Sequence, residues 1–360
     1  MPQTPKRGFP TSRKYKIKIM SDNLKKELQG NAPSRGLGVG IVGGAGYTGG
    51  ELLRILVNHP YVDIAFVHSN SNAGNLVSDV HTDLFGDTDL KFTNELSQDI
   101  DTLFLCVGHG DARKFLEANK FDSRIKIIDL SQDFRLNQKS TIDDRKFVYG
   151  LPELNKEKIK SAHNIANPGC FATCLQLGLL PLAKAGLLNS EVHISATTGS
   201  TGAGQKPGST SHFSWRNNNL SVYKAFEHQH LNEIGESLTQ LQPNFEHRIN
   251  FIPYRGAFPR GIMASIYIDC NLTLEEAEKL YQDFYAEAPF THLSKANIDL
   301  KQVVNTNKCL LHLEKHGNKL LILSITDNLL KGASGQAVQN MNLMFGLDET
   351  VGLRLKASYF

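Results

Sequence analysis

The sequence of 360 residues has no run of 18 or more apolar residues, so no transmembrane helix and no membrane partner are expected. Cysteine is also scarce, and the five cysteines form no Cys-x-x-Cys pair. This scarcity indicates neither a zinc site nor a disulfide framework, and it favours a reducing compartment such as the cytoplasm. We therefore expect a cytoplasmic protein that holds no metal ion.

Acidic residues are few only at the start of the chain. Of 39 Lys and Arg and 36 Asp and Glu in all, residues 1–35 hold nine basic and two acidic residues. The remaining residues therefore carry a small negative net charge, which argues against a nucleic-acid partner. The basic segment has no apolar core typical of a secretory signal, so a disordered tail is expected at 1–35. Targeting to an organelle is the alternative interpretation.

The pattern of apolar runs differs between the two halves of the chain. In the first half, apolar runs that alternate with helical segments predict strands at 37–42, 62–67, 102–107 and 125–130. This alternation predicts an α/β fold of the Rossmann type, with a doubly wound parallel sheet. After residue 170, runs separated by long loops predict strands at 191–197, 248–252, 261–268 and 319–325, a charged helix at 274–287 and a last helix at 336–345. This second pattern predicts an α+β domain.

A glycine loop follows the first predicted strand at once and precedes a predicted helix at 51–57. Residues 44–49 match Gly-x-Gly-x-x-Gly, which lets the backbone approach a pyrophosphate held at the helix N-terminus. A glycine-rich structural turn is the alternative. The predicted cofactor-binding residues in this loop are Gly43, Gly44, Ala45, Gly46, Tyr47, Thr48 and Gly49.

A carboxylate is missing after the second predicted strand, where NAD-binding proteins usually place one against the ribose 2′-hydroxyl. The residues there are His68-Ser69-Asn70-Ser71-Asn72. Hydroxyl and amide groups can accept a 2′-phosphate that a carboxylate would repel, so NADP (NADPH) is the expected cofactor. No arginine clamp lies nearby, and a simple polar turn is the alternative.

Asn167-Pro168-Gly169-Cys170 precedes an apolar run long enough for a buried helix. A thiol in the first turn of a helix faces unpaired backbone N–H groups and the positive end of the helix dipole. Both favour the thiolate, which is the nucleophilic form. Cys170 is therefore a candidate nucleophile, and a buried space-filling cysteine is the alternative.

An acid/base group and an anion clamp would complete the chemistry of such a thiol with a nicotinamide. His228, His230 and Glu233 lie close together in sequence, and metal binding or a surface histidine pair are the alternatives. Arg255 and Arg260 lie among turn residues and could bind carboxylate or phosphate. The Gly/Ser/Thr loop at 199–207, with Ser200, could offer hydroxyl and backbone donors to an anion.

The chain resembles the N-acetyl-γ-glutamyl-phosphate reductase family of arginine biosynthesis, within the wider aspartate-semialdehyde dehydrogenase group. The resemblance runs from about Gly38 to the C-terminus. It is carried by seven motifs in order, at 43–52, 129–136, 149–154, 167–170, 199–204, 228–234 and 327–337.

The resemblance implies an NADPH-dependent reductase of a small-molecule acyl phosphate, with Cys170 as the covalent nucleophile. His228 would match the catalytic base, with His230 and Glu233 beside it. The remaining NADP-binding residues would be Ser69, Ser71, Gly108, His109, Gly202 and Asn328, with Lys331-Gly332 closing over the nicotinamide end. Candidate substrate- or phosphate-binding residues are Ser131, Arg135, Asn167, Ser200, Arg255 and Arg260.

The resemblance also implies how the chain is organised. The last helix would return to the nucleotide domain, which gives an NADP-binding domain of 36–169 plus about 331–360 and a catalytic and oligomerisation domain of 170–330. A homo-oligomer, tetramer or dimer, is expected.

Some residues depart from the family pattern. Asn70 stands where an arginine is common, and Gln229, Leu231 and Asn232 replace three residues of a His-Arg-His-Thr-Pro-Glu motif. Three other functions stay open at this stage. They are the sister reductase of a carrier-bound aminoadipyl phosphate in lysine synthesis, a non-catalytic NADP-binding regulator, and a metal-dependent hydrolase that uses the two histidines.

Overall fold

Residues 35–359 are described by the structure, which is a computed structural model. An eight-stranded sheet is built from β1 (Leu37–Val42), β2 (Val62–His68), β3 (Phe92–Thr93), β4 (Thr102–Leu105), β5 (Lys126–Asp129), β6 (Thr141–Ile142), β7 (Arg145–Tyr149) and β8 (Asn164–Ala166). Their order in the sheet is β3-β2-β1-β4-β5-β8-β7-β6. Every pairing is parallel except that of β6 with β7, so the predicted Rossmann-type sheet is confirmed.

The first sheet is accompanied by α1 (Tyr47–Leu56), α2 (Val77–Val80), α3 (Asp111–Ala118) and α4 (Pro152–Lys160). Two short 3₁₀ turns, Thr82–Leu84 and Asn137–Lys139, complete this part of the chain. The order places β1 beside both β2 and β4, which is the point where the connections change direction. Ligands of open α/β sheets bind at the carboxyl ends of the strands at such a point.

A seven-stranded sheet follows, built from β9 (Val192–Thr198), β10 (Ser221–Val222), β11 (Ile249–Arg255), β12 (Ile262–Asp269), β13 (Thr291–Leu293), β14 (Cys309–His316) and β15 (Lys319–Thr326). Their order is β10-β11-β9-β12-β15-β14-β13, with parallel β9/β11 and β13/β14 pairs among antiparallel ones. The helices are α5 (Cys170–Lys184), α6 (Phe213–Arg216), α7 (His230–Leu241), α8 (Leu274–Phe284) and α9 (Gly335–Met344), with 3₁₀ turns at Ser200–Ala203 and Leu300–Gln302 and a π turn at Leu330–Ser334. The mixed sheet confirms the predicted α+β half.

Helix α5 lies at the centre of the second core. Gly169 precedes it in an extended conformation, and every residue from Phe171 to Ala183 is buried. Its apolar side chains share one hydrophobic cluster with Ala264 and Ile266 of β12 and Ile322 of β15. Such all-round burial fixes both the position and the direction of the helix, and so fixes where Cys170 lies.

The last helix packs against the first sheet. Ala337, Val338 and Met341 of α9 belong to the same hydrophobic cluster as Val39 and Ile41 of β1. The basic segment expected to be disordered lies outside the described residues, apart from Arg35. No helix among the residues that the structure describes is long and apolar enough to cross a membrane.

Candidate active site

The glycine loop joins β1 to α1 with backbone geometry that side chains would block. Gly43 has φ of +78°, and a Cβ there would lie 2.4 Å from the carbonyl oxygen of Cys106. A Cβ on Gly44 would lie 2.3 Å from Cγ1 of Val67, and one on Gly49 would lie 2.7 Å from Cα of Gly44. These contacts explain why glycine is needed at the turn and where the helix meets the strand.

The N-terminus of α1 has free donors. Gly46 precedes the helix, no side chain caps it, and its first turn contains no acidic residue. Unpaired N–H groups at such a terminus attract phosphate. A cradle of glycines beside these donors fits the pyrophosphate of a dinucleotide, which is the role predicted for this loop.

Two serine hydroxyls lie at the end of β2. Asn72 donates its side-chain amide to Ser69 Oγ at 3.2 Å and to Ser71 Oγ at 3.1 Å. Each hydroxyl accepts from Asn72 and keeps its own hydrogen to donate elsewhere. Ser69 is buried, whereas Ser71 is exposed to solvent.

The turn that contains Gly108 and His109 follows β4 and leads into α3. Asp133 Oδ1 accepts from the backbone N of Gly110 at 2.6 Å, and its Oδ2 accepts from the backbone N of Arg113 at 3.1 Å. The N-terminus of α3 is therefore capped by a protein carboxylate. Gly108 and His109 are exposed beside it.

Cys170 is the first residue of α5 and is only half-buried, unlike the residues that follow it. Burial raises the pKa of its thiol to about 11, while hydrogen bonds from backbone N–H groups of the first turn and the charge of Arg135 act in the opposite direction. The helix terminus thus opposes the burial effect but does not overcome it. A base beside the thiol would assist the removal of its proton before attack.

Glu233 of α7 ties the segment before Cys170 to its surroundings. Its Oε2 accepts from the backbone N of Gly169 at 3.0 Å and from the hydroxyl of Tyr149 at 2.7 Å. Its Oε1 accepts from Arg135 Nη1 at 3.0 Å, and both side chains of this ion pair are about 5% exposed or less. The Glu233 carboxylate therefore holds the backbone of Gly169 through Oε2, which lies beside the N-terminus of α5. A cleft of about 700 Å³ adjoins Arg135 and Glu233.

Two neutral imidazoles lie near the Glu233 carboxylate. Burial lowers the pKa of His228 to about 4, and burial together with the charge of Arg135 lowers the pKa of His230 well below its usual value. His228 Nδ1 accepts from the backbone N of His230 at 3.2 Å, and its ring packs edge-on against Phe171. Both imidazoles are therefore neutral at neutral pH, and each has one ring nitrogen that carries no proton.

His230 lies closest to the loop that precedes the nucleophile. A Cβ on Gly169 would lie 2.3 Å from His230 Nε2, and this nitrogen is 3.8 Å from Glu233 Oε1. The other ring nitrogen, Nδ1, is buried and has no hydrogen-bond partner. The ring centroids of His228 and His230 are 4.6 Å apart.

The π turn Leu330–Ser334 joins the nucleophile to the glycine loop. Gly332 packs so closely on Cys170 that a Cβ there would lie 2.8 Å from Cys170 Cβ. Ser334 Oγ donates to the backbone oxygen of Thr48 in α1 at 2.8 Å. A dinucleotide on the glycine loop would therefore have one end close to the thiol.

Four of the six side chains expected to bind substrate have their polar atoms occupied within the protein. Arg135 also donates to the backbone oxygens of Asn167 and Leu130, and Arg260 bridges Glu51 and Asp327. Buried Ser131 donates to Asp129 Oδ2 and accepts from the backbone N of Asp133. The amide of Asn167 bonds Ala333 and Asn340. These contacts show how each group is held within the protein, and their assignment to substrate stays a prediction.

Arg255 and Ser200 keep unused polar atoms. Arg255 stacks over the ring of Tyr223 at 4.6 Å, and its Nε is buried with no hydrogen-bond partner. Tyr223 is close enough to Cys170 for the thiol to raise its pKa, although burial is the larger cause. Ser200 begins the 3₁₀ turn that also contains Gly202. Asn328 joins this loop to β12 through Thr201 Oγ1 and the backbone N of Gly261.

Sequence reasoning missed Tyr149, a partner of Glu233, and Gln176, a partner of Tyr149. Tyr149 donates to Glu233, and Gln176 Nε2 donates in turn to the Tyr149 hydroxyl at 2.7 Å. A glutamine in the middle of an apolar helix was the available signal, since a buried amide needs a polar partner. Among the described residues, no group of three or more His, Cys, Asp and Glu is placed to hold a metal ion.

Comparison with known proteins gives matches over nearly the whole described chain. Family models match at 38–162, "Semialdehyde dehydrogenase, NAD binding domain", and at 170–328, "Semialdehyde dehydrogenase, dimerisation domain". The N-acetyl-gamma-glutamyl-phosphate reductase of Phocaeicola vulgatus is 63% identical over 89% of this chain and 99% of its own length. The protein of the same name from Flavobacterium johnsoniae is 59% identical over 90% of this chain and 100% of its own length.

A solved structure shares the fold at low sequence identity. Aspartate semialdehyde dehydrogenase II from Vibrio cholerae superposes with a TM-score of 0.67 at 17% identity, covering 86% of this chain and 98% of that one. This likeness concerns the fold alone. Together with the family models, it agrees with the two sheets described above.

Proposed function

The chain belongs to the N-acetyl-γ-glutamyl-phosphate reductase family, and from this we propose that it reduces N-acetyl-γ-glutamyl phosphate to N-acetylglutamate semialdehyde and phosphate, a step of arginine biosynthesis. The observation that carries the proposal is that one π turn contacts both parts of the site. Its Gly332 packs on Cys170, and its Ser334 donates to the backbone oxygen of Thr48 in the glycine loop. This turn would bring the thiol and a bound nicotinamide together, as a thioester reductase requires.

The first half of the reaction is acyl transfer to Cys170. A neutral histidine, His228 or His230, accepts the proton of the Cys170 thiol. The Cys170 sulfur then attacks the acyl carbon, the bond to phosphate breaks, and a thioester remains. Glu233 and Arg135 hold Gly169 and Asn167 during this step, so they act as positioning residues.

The second half reduces the thioester. A dihydronicotinamide bound on the glycine loop would supply the hydride that the thioester carbon takes up. The histidinium formed in the first step returns its proton as the sulfur leaves, which releases the aldehyde and restores the thiol. Gly332 can pack directly on Cys170 because it has no side chain, and a Cβ there would lie 2.8 Å from Cys170 Cβ.

Arg255 is the group we assign to the substrate carboxylate. Its guanidinium is a planar donor with an unpartnered buried Nε, and a carboxylate can bind it through two parallel hydrogen bonds. Ser200 and Gly202 lie on the neighbouring 3₁₀ turn and are assigned to anion and cofactor contacts, respectively. The donors already used by Arg135 and Arg260 make those two residues poorer candidates.

NADP is the assigned nucleotide. Ser69 and Ser71 accept hydrogen bonds from Asn72 and keep their own hydrogens to donate, so each could donate to a 2′-phosphate. No carboxylate stands at this end of β2 to repel it. Gly108, His109 and Asn328 are assigned to the remainder of the cofactor, as the resemblance implies.

The domains and assembly extend this proposal. We assign 36–169 plus about 331–360 to the nucleotide-binding domain, since α9 shares its core, and 170–330 to the catalytic and oligomerisation domain. Tyr267 is exposed on β12 and stacks on His193 of β9, on the sheet face away from α5. This face is a surface for a second copy in a homodimer or tetramer. A cytoplasmic location fits the five free cysteines.

The test is the reverse reaction, in which N-acetylglutamate semialdehyde, phosphate and NADP are mixed with the purified protein and NADPH absorbance is followed. Phosphate-dependent formation of NADPH is expected. Turnover with the carrier-bound aminoadipate semialdehyde alone would favour the sister reductase instead. NADP binding without turnover of either aldehyde would favour the regulator.

A further inference from the structure

One residue of the π turn that contacts Cys170 belongs to a buried ion pair. Lys331 Nζ is 2.7 Å from Glu153 Oε1, and the two side chains are 0% and 2% exposed. Glu153 lies in the first turn of α4, where the helix dipole favours a negative charge. The reaction steps described above use neither residue.

The two partners are held by neutral groups from other elements. Thr291 Oγ1 donates to Glu153 Oε1 at 2.9 Å, and Lys331 Nζ also donates to Gln339 Oε1 of α9 at 3.0 Å. Asn307 donates to the same oxygen of Gln339. The ammonium and carboxylate therefore sit in a fixed network that joins α4, β13, α9 and the π turn.

The position of this pair in the chain gives it a link to the chemistry. Lys331 is followed at once by Gly332, which packs on Cys170, and three residues later by Ser334, which binds Thr48. The backbone oxygen of Ala333, between them, accepts from Asn167 of the nucleophile loop at 3.1 Å. Every residue from 331 to 334 thus contacts a different part of the site or its support.

A π turn is an unusual conformation that is often found at functional sites. Two charges taken out of water are expensive for stability and are often replaceable by apolar side chains without loss. Such a pair can instead impose one specific conformation. Here that conformation would be the π turn, in which Gly332 packs on Cys170 and Ser334 donates to Thr48 of the glycine loop.

We propose that the Lys331–Glu153 ion pair positions the π turn for hydride transfer, by holding Gly332 against Cys170 and Ser334 against the cofactor loop. Both are positioning residues, since neither touches the reacting atoms. The inference rests on the proposed function of Cys170 as the nucleophile.

The test compares four variants of the full-length protein. Lys331→Met and Glu153→Gln each remove one charge, and Lys331→Met with Glu153→Met removes both. Lys279→Met is the matched control, because Lys279 pairs with Asp283 on the surface with side chains 75% and 64% exposed. For each we would measure kcat, both KM values, melting temperature and the rate at which iodoacetamide alkylates Cys170.

Each single variant should lower kcat by about 10- to 100-fold, as expected when reacting groups shift by about 1 Å, with both KM values little changed. Alkylation of Cys170 should become faster, because Gly332 no longer shields the thiol. The double variant should regain the melting temperature of the wild type but not its kcat. The control should match the wild type in every measurement.

Recovery of kcat together with melting temperature in the double variant would overturn the inference, because the pair would then serve stability alone. Wild-type kcat in both single variants would also overturn it. If the single variants do not accumulate as folded protein, the double variant decides. Turnover that survives in Cys170→Ala would instead refute the proposed function, so the two failures are distinguishable.

Discussion

Replacing Arg135 by methionine should destabilise the protein through the charge it leaves behind. Arg135 donates to Glu233 and to the backbone oxygens of Asn167 and Leu130. Methionine fills part of the same volume but provides no donor. The carboxylate of Glu233 would keep its bonds to Tyr149 and Gly169 while losing its only charged partner in the described structure.

The magnitude follows from the burial of both partners. Removing one partner of a buried ion pair costs about 3–5 kcal/mol, because the other charge stays buried and uncompensated. For domains of this size each kcal/mol lowers the melting temperature by about 2–4 °C. Arg135→Met should therefore lower the melting temperature by about 6–20 °C. Adding Glu233→Gln should recover part of this loss, since the uncompensated charge is then gone.

Thermal unfolding of the wild type, the two single variants and the double variant closes a mutant cycle. Arg124→Met is the control, because Arg124 is exposed and pairs with exposed Asp122. A melting temperature for Arg135→Met within about 3 °C of the wild type would refute the reasoning, since that corresponds to about 1 kcal/mol. Arg135 would then be free to bind substrate, as the sequence suggested.

Three further predictions concern other parts of the molecule. Burial lowers the pKa of His59 to about 4, so its stabilising effect is complete above pH 6.5 and is lost as the pH falls towards 4. Urea unfolding should show that the stability of His59→Gln falls by about 3 kcal/mol less than that of the wild type over this window, and equal slopes would contradict the prediction. Ser71→Asp should raise the KM for NADP by about 10-fold or more through charge repulsion, with the KM for NAD little changed, and Ser71→Ala measures the part that comes from the lost hydroxyl alone; equal effects of Ser71→Asp on both cofactors would contradict the assignment. Arg255→Met should raise the KM of the acyl substrate by about 10- to 100-fold, the equivalent of one lost charged hydrogen bond, whereas exposed Arg248→Met should not; an unchanged KM would remove Arg255 from the substrate site.

Local sequence patterns predicted the main elements of the fold. The strand at 37–42, the glycine loop and a helix that begins at Cys170 are found as expected, because each has a strong local signal. The helix after the glycine loop begins earlier, at Tyr47 rather than 51, since its first turn is made of glycine, threonine and tyrosine that carry no helical pattern. Strand β14, which spans Cys309–His316, was not predicted, because its charged residues interrupt the apolar run.

The sequence predicted which residues belong to the candidate site better than it predicted what each residue does there. His228, His230 and Glu233 lie within six residues of sequence, and the structure places His230 and Glu233 beside Gly169, the residue before Cys170. The sequence could not predict that Arg135 and Arg255 have different surroundings. Only contacts between distant segments show that one guanidinium is occupied by Glu233 and backbone oxygens while the other keeps an unpartnered buried nitrogen.

The central claim is that Cys170 carries the acyl group, and mass analysis of the protein tests it most directly. The wild type and Cys170→Ala would be mixed with the acyl phosphate without nicotinamide, quenched in acid and digested. The account predicts one N-acetylglutamyl group on the peptide that contains Cys170 in the wild type, and none on the variant. Labelling of another residue, or an unlabelled wild type that still turns over when nicotinamide is added, would contradict it.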